Sequence, residues 1–207
     1  SREKIRMICL ARDNSLASFN LRTDLMSEKT PSIWLEARTL RGKKFLLGGF
    51  YREWTHDKDT SVSGQQERVQ ILTEQIDRAC VECDRVAIVG DANLCQKSWS
   101  ANNYRHKTIA DILRSTIDSN SLIVHDFGFT YEADHADADG NYAKSAIDHG
   151  YTSPACKVDC ACALENSSSD HVPIFLSLKV EHECQKPNVR YITKRSFRKF
   201  SLENFKR

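Results

Sequence analysis

"RVAIVGDAN", residues 85–93, is a short continuous apolar run that stops at a glycine, an acid and an amide. Five residues from Arg85 to Val89 supply no alternation, so the run predicts a strand buried on both faces, at the centre of a sheet. Asp91 and Asn93 then fall just past its end, where a buried strand meets solvent. A carboxylate in such a place is costly unless something there needs it.

Flanking segments fit a layered α/β domain. Upstream, "KIRMICLA" (4–11), "SIWLEARTL" (32–40) and "KKFLLGGFY" (43–51) predict strands, the last two joined as a hairpin through "RGK". "SGQQERVQILTEQIDRACVE" (63–82) places Val69, Leu72, Ile76 and Ala79 on one helical face, with Ser63 as the expected N-cap. Downstream, "HKTIADILRSTIDSN" (106–120) predicts a second amphipathic helix, and "SLIVHDF" (121–127), "AIDHGYTS" (146–153) and "VPIFLSLKV" (172–180) predict strands. Strands outnumber helices, and sheet packed on sheet or helix on sheet is the expected architecture.

The chain has 207 residues, enough for one domain. Its formal net charge is only +2, but seven Lys/Arg and one acid lie between Arg190 and Arg207, leaving a mildly acidic body with a basic tail. Such a tail suits a polyanion or a solvated linker. No apolar run is long enough for a transmembrane helix, and the start has neither an initiator Met nor a signal-like core, which leads us to expect a piece of a longer chain. Of the eight cysteines, Cys80 and Cys83 form a CxxC, but it sits at the end of a predicted helix. Cys156, Cys160 and Cys162 are irregularly spaced, so reduced thiols in a nuclear or cytoplasmic protein are expected rather than zinc.

Two more acidic sites share the context of Asp91. Asp148 follows an apolar residue in "SAIDHGYTS", and Asp170–His171 stand just before the strand in "SSSDHVPIF". Each alone reads as a loop dipeptide. Three in one chain, all at apolar strand ends, match the needs of phosphoryl transfer: a base for water, a metal ligand and a donor for developing charge.

The order "GDAN" (90–93), "AIDHG" (146–150), "SDHVP" (169–173), with "GGFYRE" (48–53) upstream, resembles the endonuclease/exonuclease/phosphatase superfamily. "FTY" (129–131) and the tail "RSFRKFSLENF" further resemble the apurinic-type endonuclease domain of non-LTR retrotransposons. The resemblance implies a four-layer α/β sandwich of two packed mixed sheets flanked by helices, lacking its first strands, over residues 1–181. Residues 182–207 would be a basic linker toward a reverse transcriptase region. It implies a DNA-nicking hydrolase in which Asp91 handles the attacking water and Asn93 holds Asp91 and the phosphate. His171 would stabilise the transition state, Asp148 would fix His171, and Tyr51 would stand near the phosphate or the leaving group. Asp170 would serve the magnesium or manganese site, and Arg52, Thr130, Lys144 and Ser145 would contact DNA. The family's metal-binding glutamate has no counterpart: neither Glu28 nor Glu36 takes that role, so weak metal binding and impaired nicking are expected. A non-catalytic nucleic-acid-binding remnant, or a phosphodiesterase or phosphatase for another substrate, are the competing readings. His149 would point to the opposite face of its strand and is read as structural. Asp134, Asp137 and Asp139 read as a solvated turn rather than a calcium loop.

Overall fold

The computed structural model describes residues 7–10, 17–39, 42–54, 59–136, 140–164 and 169–179. At its centre is a mixed six-stranded sheet. In chain order its strands are β1 (Ala17–Leu21), β2 (Ser32–Thr39), β3 (Lys44–Tyr51), β4 (Val86–Asp91), β5 (Ile123–His125) and, after the hairpin β6 (Tyr131–Ala136) and β7 (Tyr142–Ser145), β8 (Asp148–Thr152). Their spatial order is β1-β2-β3-β4-β8-β5. Among the described residues only β3 and β4 run parallel. Their crossover is α1 (Val62–Glu82), and α2 (Lys107–Ser119) follows β4. A separate ribbon pairs β9 (Val158–Ala163) with β10 (Ile174–Leu178).

Alternation along the strands sorts their side chains between two faces. Trp34, Leu46, Phe50, Val86, Ile88 and Tyr151 face the helices. They pack with Val69, Leu72, Ile76 and Ala79 of α1 and with Ile109, Ala110, Leu113 and Ile117 of α2. Each large aliphatic side chain buried here contributes roughly 1.5–3 kcal/mol. The Trp34 indole lies over Gly48, where an added Cβ would stand 2.8 Å from the ring. On the other face Ala37, Phe45 and Cys156 form a smaller cluster with Leu47 and with Leu178 of the ribbon. Among the described residues the layers are helices, mixed sheet and ribbon: a mixed α/β fold with one multi-strand mixed sheet, smaller two-stranded sheets and two helices.

Three local expectations need correction. The N-cap of α1 is Ser61 rather than Ser63: the Ser61 Oγ accepts from the Gly64 amide at 3.0 Å, starting the helix at the exposed Val62. Met7–Leu10, from the segment expected as the first strand, carries no strand, and β1 pairs with the edge of β2; the rest of 4–11 lies outside the described residues. Asp134 lies within β6 rather than in a turn, while Asp137 and Asp139 lie outside the described residues, as does the basic tail.

Candidate active site

Backbone register assembles the centre of the site. Tyr51 pairs with Asp91, and Asp91 pairs with Asp148, so three adjacent strands present these residues on one face, opposite the helices. Gly90 permits the close approach of β3 and β4, since a Cβ there would stand 2.0 Å from the Phe50 carbonyl oxygen. Pairing continues past the strand ends: the Ala92 amide donates to the Ile147 carbonyl at 2.9 Å and the Arg52 amide to the Asp91 carbonyl at 2.9 Å.

The turn after β4 then folds back on Asp91. Asn93 adopts a left-handed conformation (φ 49°), which asparagine tolerates better than most residues. Its amide donates to Asp91 Oδ1 at 2.7 Å and its Nδ2 to Asp91 Oδ2 at 3.1 Å. Nδ2 also donates to the Arg52 carbonyl at 2.9 Å, tying the turn to β3.

His171 reaches this centre through a short extra pairing. The Glu132 amide donates to the Asp170 carbonyl at 3.0 Å, the Val172 amide to the Thr130 carbonyl at 2.7 Å, and Tyr131 bridges His171. The Thr130 Oγ1 in turn accepts from the Asp148 amide at 3.0 Å. Asp148 and His171, 23 positions apart, are thus aligned on one scaffold, and His171 Nδ1 lies 2.9 Å from Asp148 Oδ2. The Tyr131 ring packs edge-on against the imidazole at 5.2 Å. Among the described residues, Asp91, Asp148 and His171 bring their ligand-type atoms within 4.8 Å of one another.

The electrostatics follow from this crowding. Burial, then the neighbouring charge of Asp148, pushes the Asp91 carboxyl up to about 6, against the pull of the Asn93 amide, His171 and Arg52. Partial burial works against the charged form of His171. The hydrogen bond and charge of Asp148, with Asp91 and Asp170, outweigh it and hold the imidazole above its usual value. A carboxylate titrating near neutrality beside a readily charged imidazole has the pairing that acid–base chemistry on a phosphate requires.

Not every expected residue joins them. Arg52 is fully buried; its guanidinium donates to the carbonyls of Ala92 and, at 2.9 Å, of Asn93, so it braces the turn instead of meeting DNA. Thr130 is likewise fully buried and aligns Asp148 and Val172. Asp170 is exposed and accepts from the Ser169 hydroxyl at 2.9 Å, outside the three-residue cluster, so the metal-ligand role expected of it is not supported by its position. Lys144 is exposed on the β6–β7 hairpin, 3.0 Å from Glu132, and Ser145 is half-buried in the same hairpin. Glu36 faces the helix side and pairs with Arg22, Arg38 and Lys44. Tyr131 was not singled out by sequence reasoning. Its one signal was its place beside Thr130, and its role depends on a pairing with a segment 40 positions away.

His149 is fully buried on the helix face. Its Nε2 donates to the Leu94 carbonyl at 2.7 Å, and its Nδ1 accepts from the Tyr151 hydroxyl. Burial lowers its pKa from 6.5 to about 4. Between those values the unfolded chain binds a proton that the folded chain refuses, so this contribution to stability is full above pH 6.5 and lost as pH falls toward 4. Lowering the pH from 7 to 5 is expected to cost about 2 kcal/mol through this group. Urea titrations at both pH values, on the parent and on His149→Gln, check this; equal pH dependence in the two proteins would contradict it.

A family model described as endonuclease–reverse transcriptase matches residues 55–175. Among solved structures, the endonuclease domain of TRAS1, a telomere-specific non-LTR retrotransposon, aligns with a TM-score of 0.62 at 18% identity, covering 80% of this chain and 70% of that one. The catalytic domain of APE2 from Xenopus laevis aligns at 0.52 and 14%, covering 76% and 57%. The 3'-5' exonuclease NExo from Neisseria meningitidis aligns at 0.50 and 15%, covering 71% and 65%. No curated protein matches the chain. At these identities the structural likenesses establish a shared fold.

Proposed function

The chain belongs to the endonuclease–reverse transcriptase family and has the endonuclease/exonuclease/phosphatase fold, and we propose that it is a DNA-nicking phosphodiester hydrolase of a non-LTR retroelement. The observation that carries this reading is the convergence of Asp91, Asp148 and His171 on one sheet face. Asp91, held by both nitrogens of Asn93, orients the attacking water and accepts its proton at neutral pH. His171, oriented by Asp148 and with its charged form favoured by it, faces the scissile phosphate and offsets the negative charge growing on its oxygens. Tyr51, in register with Asp91, borders the leaving-group side. As the water oxygen bonds to phosphorus, the bond from phosphorus to the 3'-oxygen breaks. That oxygen takes a proton from solvent and leaves as a 3'-hydroxyl that could prime reverse transcription, while the phosphate stays on the 5' side of the nick.

A divalent cation fits the donor set. Two carboxylates converge, and the charge of Asp148 is among the influences that disfavour ionised Asp91, a conflict that a cation with a preference for oxygen ligands would relieve. Asp91 and Asp148 would hold magnesium or manganese, which when bound would supply Lewis-acid polarisation of the phosphate. The test is relaxation of supercoiled plasmid with magnesium, with EDTA, and with the nicked product offered to a polymerase. Magnesium-dependent nicks that the polymerase extends directly are expected. Cutting that persists in EDTA would refute the metal-dependent mechanism, and binding without any cutting would favour a non-catalytic nucleic-acid-binding protein.

A further inference from the structure

A cavity of about 370 Å³ opens between the first turns of α1 and α2 and the segment that follows β3, lined by Trp54, Thr60, Gln65, Arg105, His106 and Ile109. That volume lies within the range of roughly 300–1,000 Å³ usual for small-ligand pockets. It is linked to the turn that carries Asn93 through two side chains, Arg52 and Tyr104. The Arg52 side chain that holds the Asn93 carbonyl stands 5.9 Å from the centre of the Trp54 ring. The Trp54 ring meets His106 edge-on at 4.5 Å. Tyr104, which packs on His106 at 5.6 Å, accepts from the Cys95 amide at 2.8 Å, two residues beyond Asn93.

The chemistry of the lining is aromatic and positive. Arg105 is exposed and makes no ion pair among the described residues. The first turns of α1 and α2 carry no acidic residue, and the His106 side chain does not cap α2. Burial, then the charges of Arg105 and Arg52, lowers the His106 pKa, which disfavours a charged imidazole beside Arg105. Flat rings beside the exposed Arg105 suit a base and its phosphate. An apolar ligand would leave the Arg105 guanidinium without an acceptor.

We propose that this cavity holds a nucleotide of the substrate strand flanking the scissile phosphodiester, its base against Trp54 and His106 and its phosphate at Arg105. The proposal rests on the phosphodiesterase reading above and names the contact that would position a strand along the edge of the sheet. Aromatic–base stacking is sequence-tolerant, so the pocket contributes affinity and strand placement more than base identity.

The experiment measures fluorescence anisotropy of a fluorescein-labelled single-stranded DNA 12-mer, in EDTA, with the full chain. Trp54→Ala is expected to weaken binding about tenfold or more. Arg105→Glu is expected to weaken it several-fold and to flatten its salt dependence by about one phosphate contact. Trp54→Phe and Arg105→Lys should retain most of the affinity. Thermal melts show which variants fold, and Arg105→Glu, at an exposed position, keeps the test available if Trp54→Ala does not fold. Binding of the folded variants within twofold of the parent, or no binding by the parent, overturns the proposal. Plasmid nicking by the same proteins separates it from the nuclease reading. A parent that nicks while folded Trp54→Ala and Arg105→Glu nick and bind equally well overturns the pocket alone. A parent that binds through these residues but cuts nothing overturns the nuclease reading and supports the pocket.

Discussion

His171→Ala is expected to lower the plasmid-nicking rate by a hundred- to a thousandfold, the usual effect of removing one well-placed group that stabilises transition-state charge. The imidazole touches Asp148 through Nδ1 and is held against Tyr131, so alanine removes a pre-oriented donor and leaves the half-buried Asp148 carboxylate without its partner. Single-turnover nicking with saturating enzyme checks this, since it isolates chemistry from binding. Asp148→Asn is expected to be slower than the parent but faster than His171→Ala, because an amide can still orient the ring while no longer favouring its charge. A His171→Ala protein that cuts at the parental rate would remove the imidazole from the mechanism.

Trp34→Ala is expected to destabilise the fold by about 4 kcal/mol, within the range for deleting a large buried aromatic side chain. The indole is 1% exposed, sits over Gly48 and donates from Nε1 to Gln75 Oε1 at 3.1 Å. Alanine would open a cavity between β2–β3 and α1 and leave the buried Gln75 amide oxygen without that donor, so packing and polar satisfaction are lost together. Trp34→Phe keeps most of the ring and is expected to lose roughly half as much. Urea titration of the three proteins gives the comparison. A loss below about 1 kcal/mol for alanine would mean that the helix–sheet core relaxes to fill the space. Both effects exceed that expected from His149, whose contribution changes only with pH.

Much of this architecture was legible in the chain. The run at 85–90 became β4, at the interior of the sheet, and Val69, Leu72, Ile76 and Ala79 are all buried on α1, because hydrophobic periodicity is a local property of sequence. The order of the motifs carrying Asp91, Asp148 and His171 was legible for a related reason: each lies at the end of an apolar run, where a strand must stop. What the sequence could not show was which polar residues at those ends face inward. Arg52 and Thr130 stand beside Tyr51 and Tyr131 in quoted motifs and were expected to meet DNA, yet both are fully buried and hold backbone.

The difference is physical. Strand formation and helix amphipathicity depend on neighbours within a few positions, so the residues themselves determined the elements and the strand ends at which Asp91 and Asp148 lie. The tertiary structure alone decided that Asp91 and Asp148 sit directly opposite each other, since register is set by pairing between distant strands. It alone decided that the 170–172 segment pairs beside 130–132 and brings His171 onto Asp148 while leaving Asp170 outward. Desolvation, and with it the rise of the Asp91 carboxyl to about 6, exists only once those distant segments have closed around it.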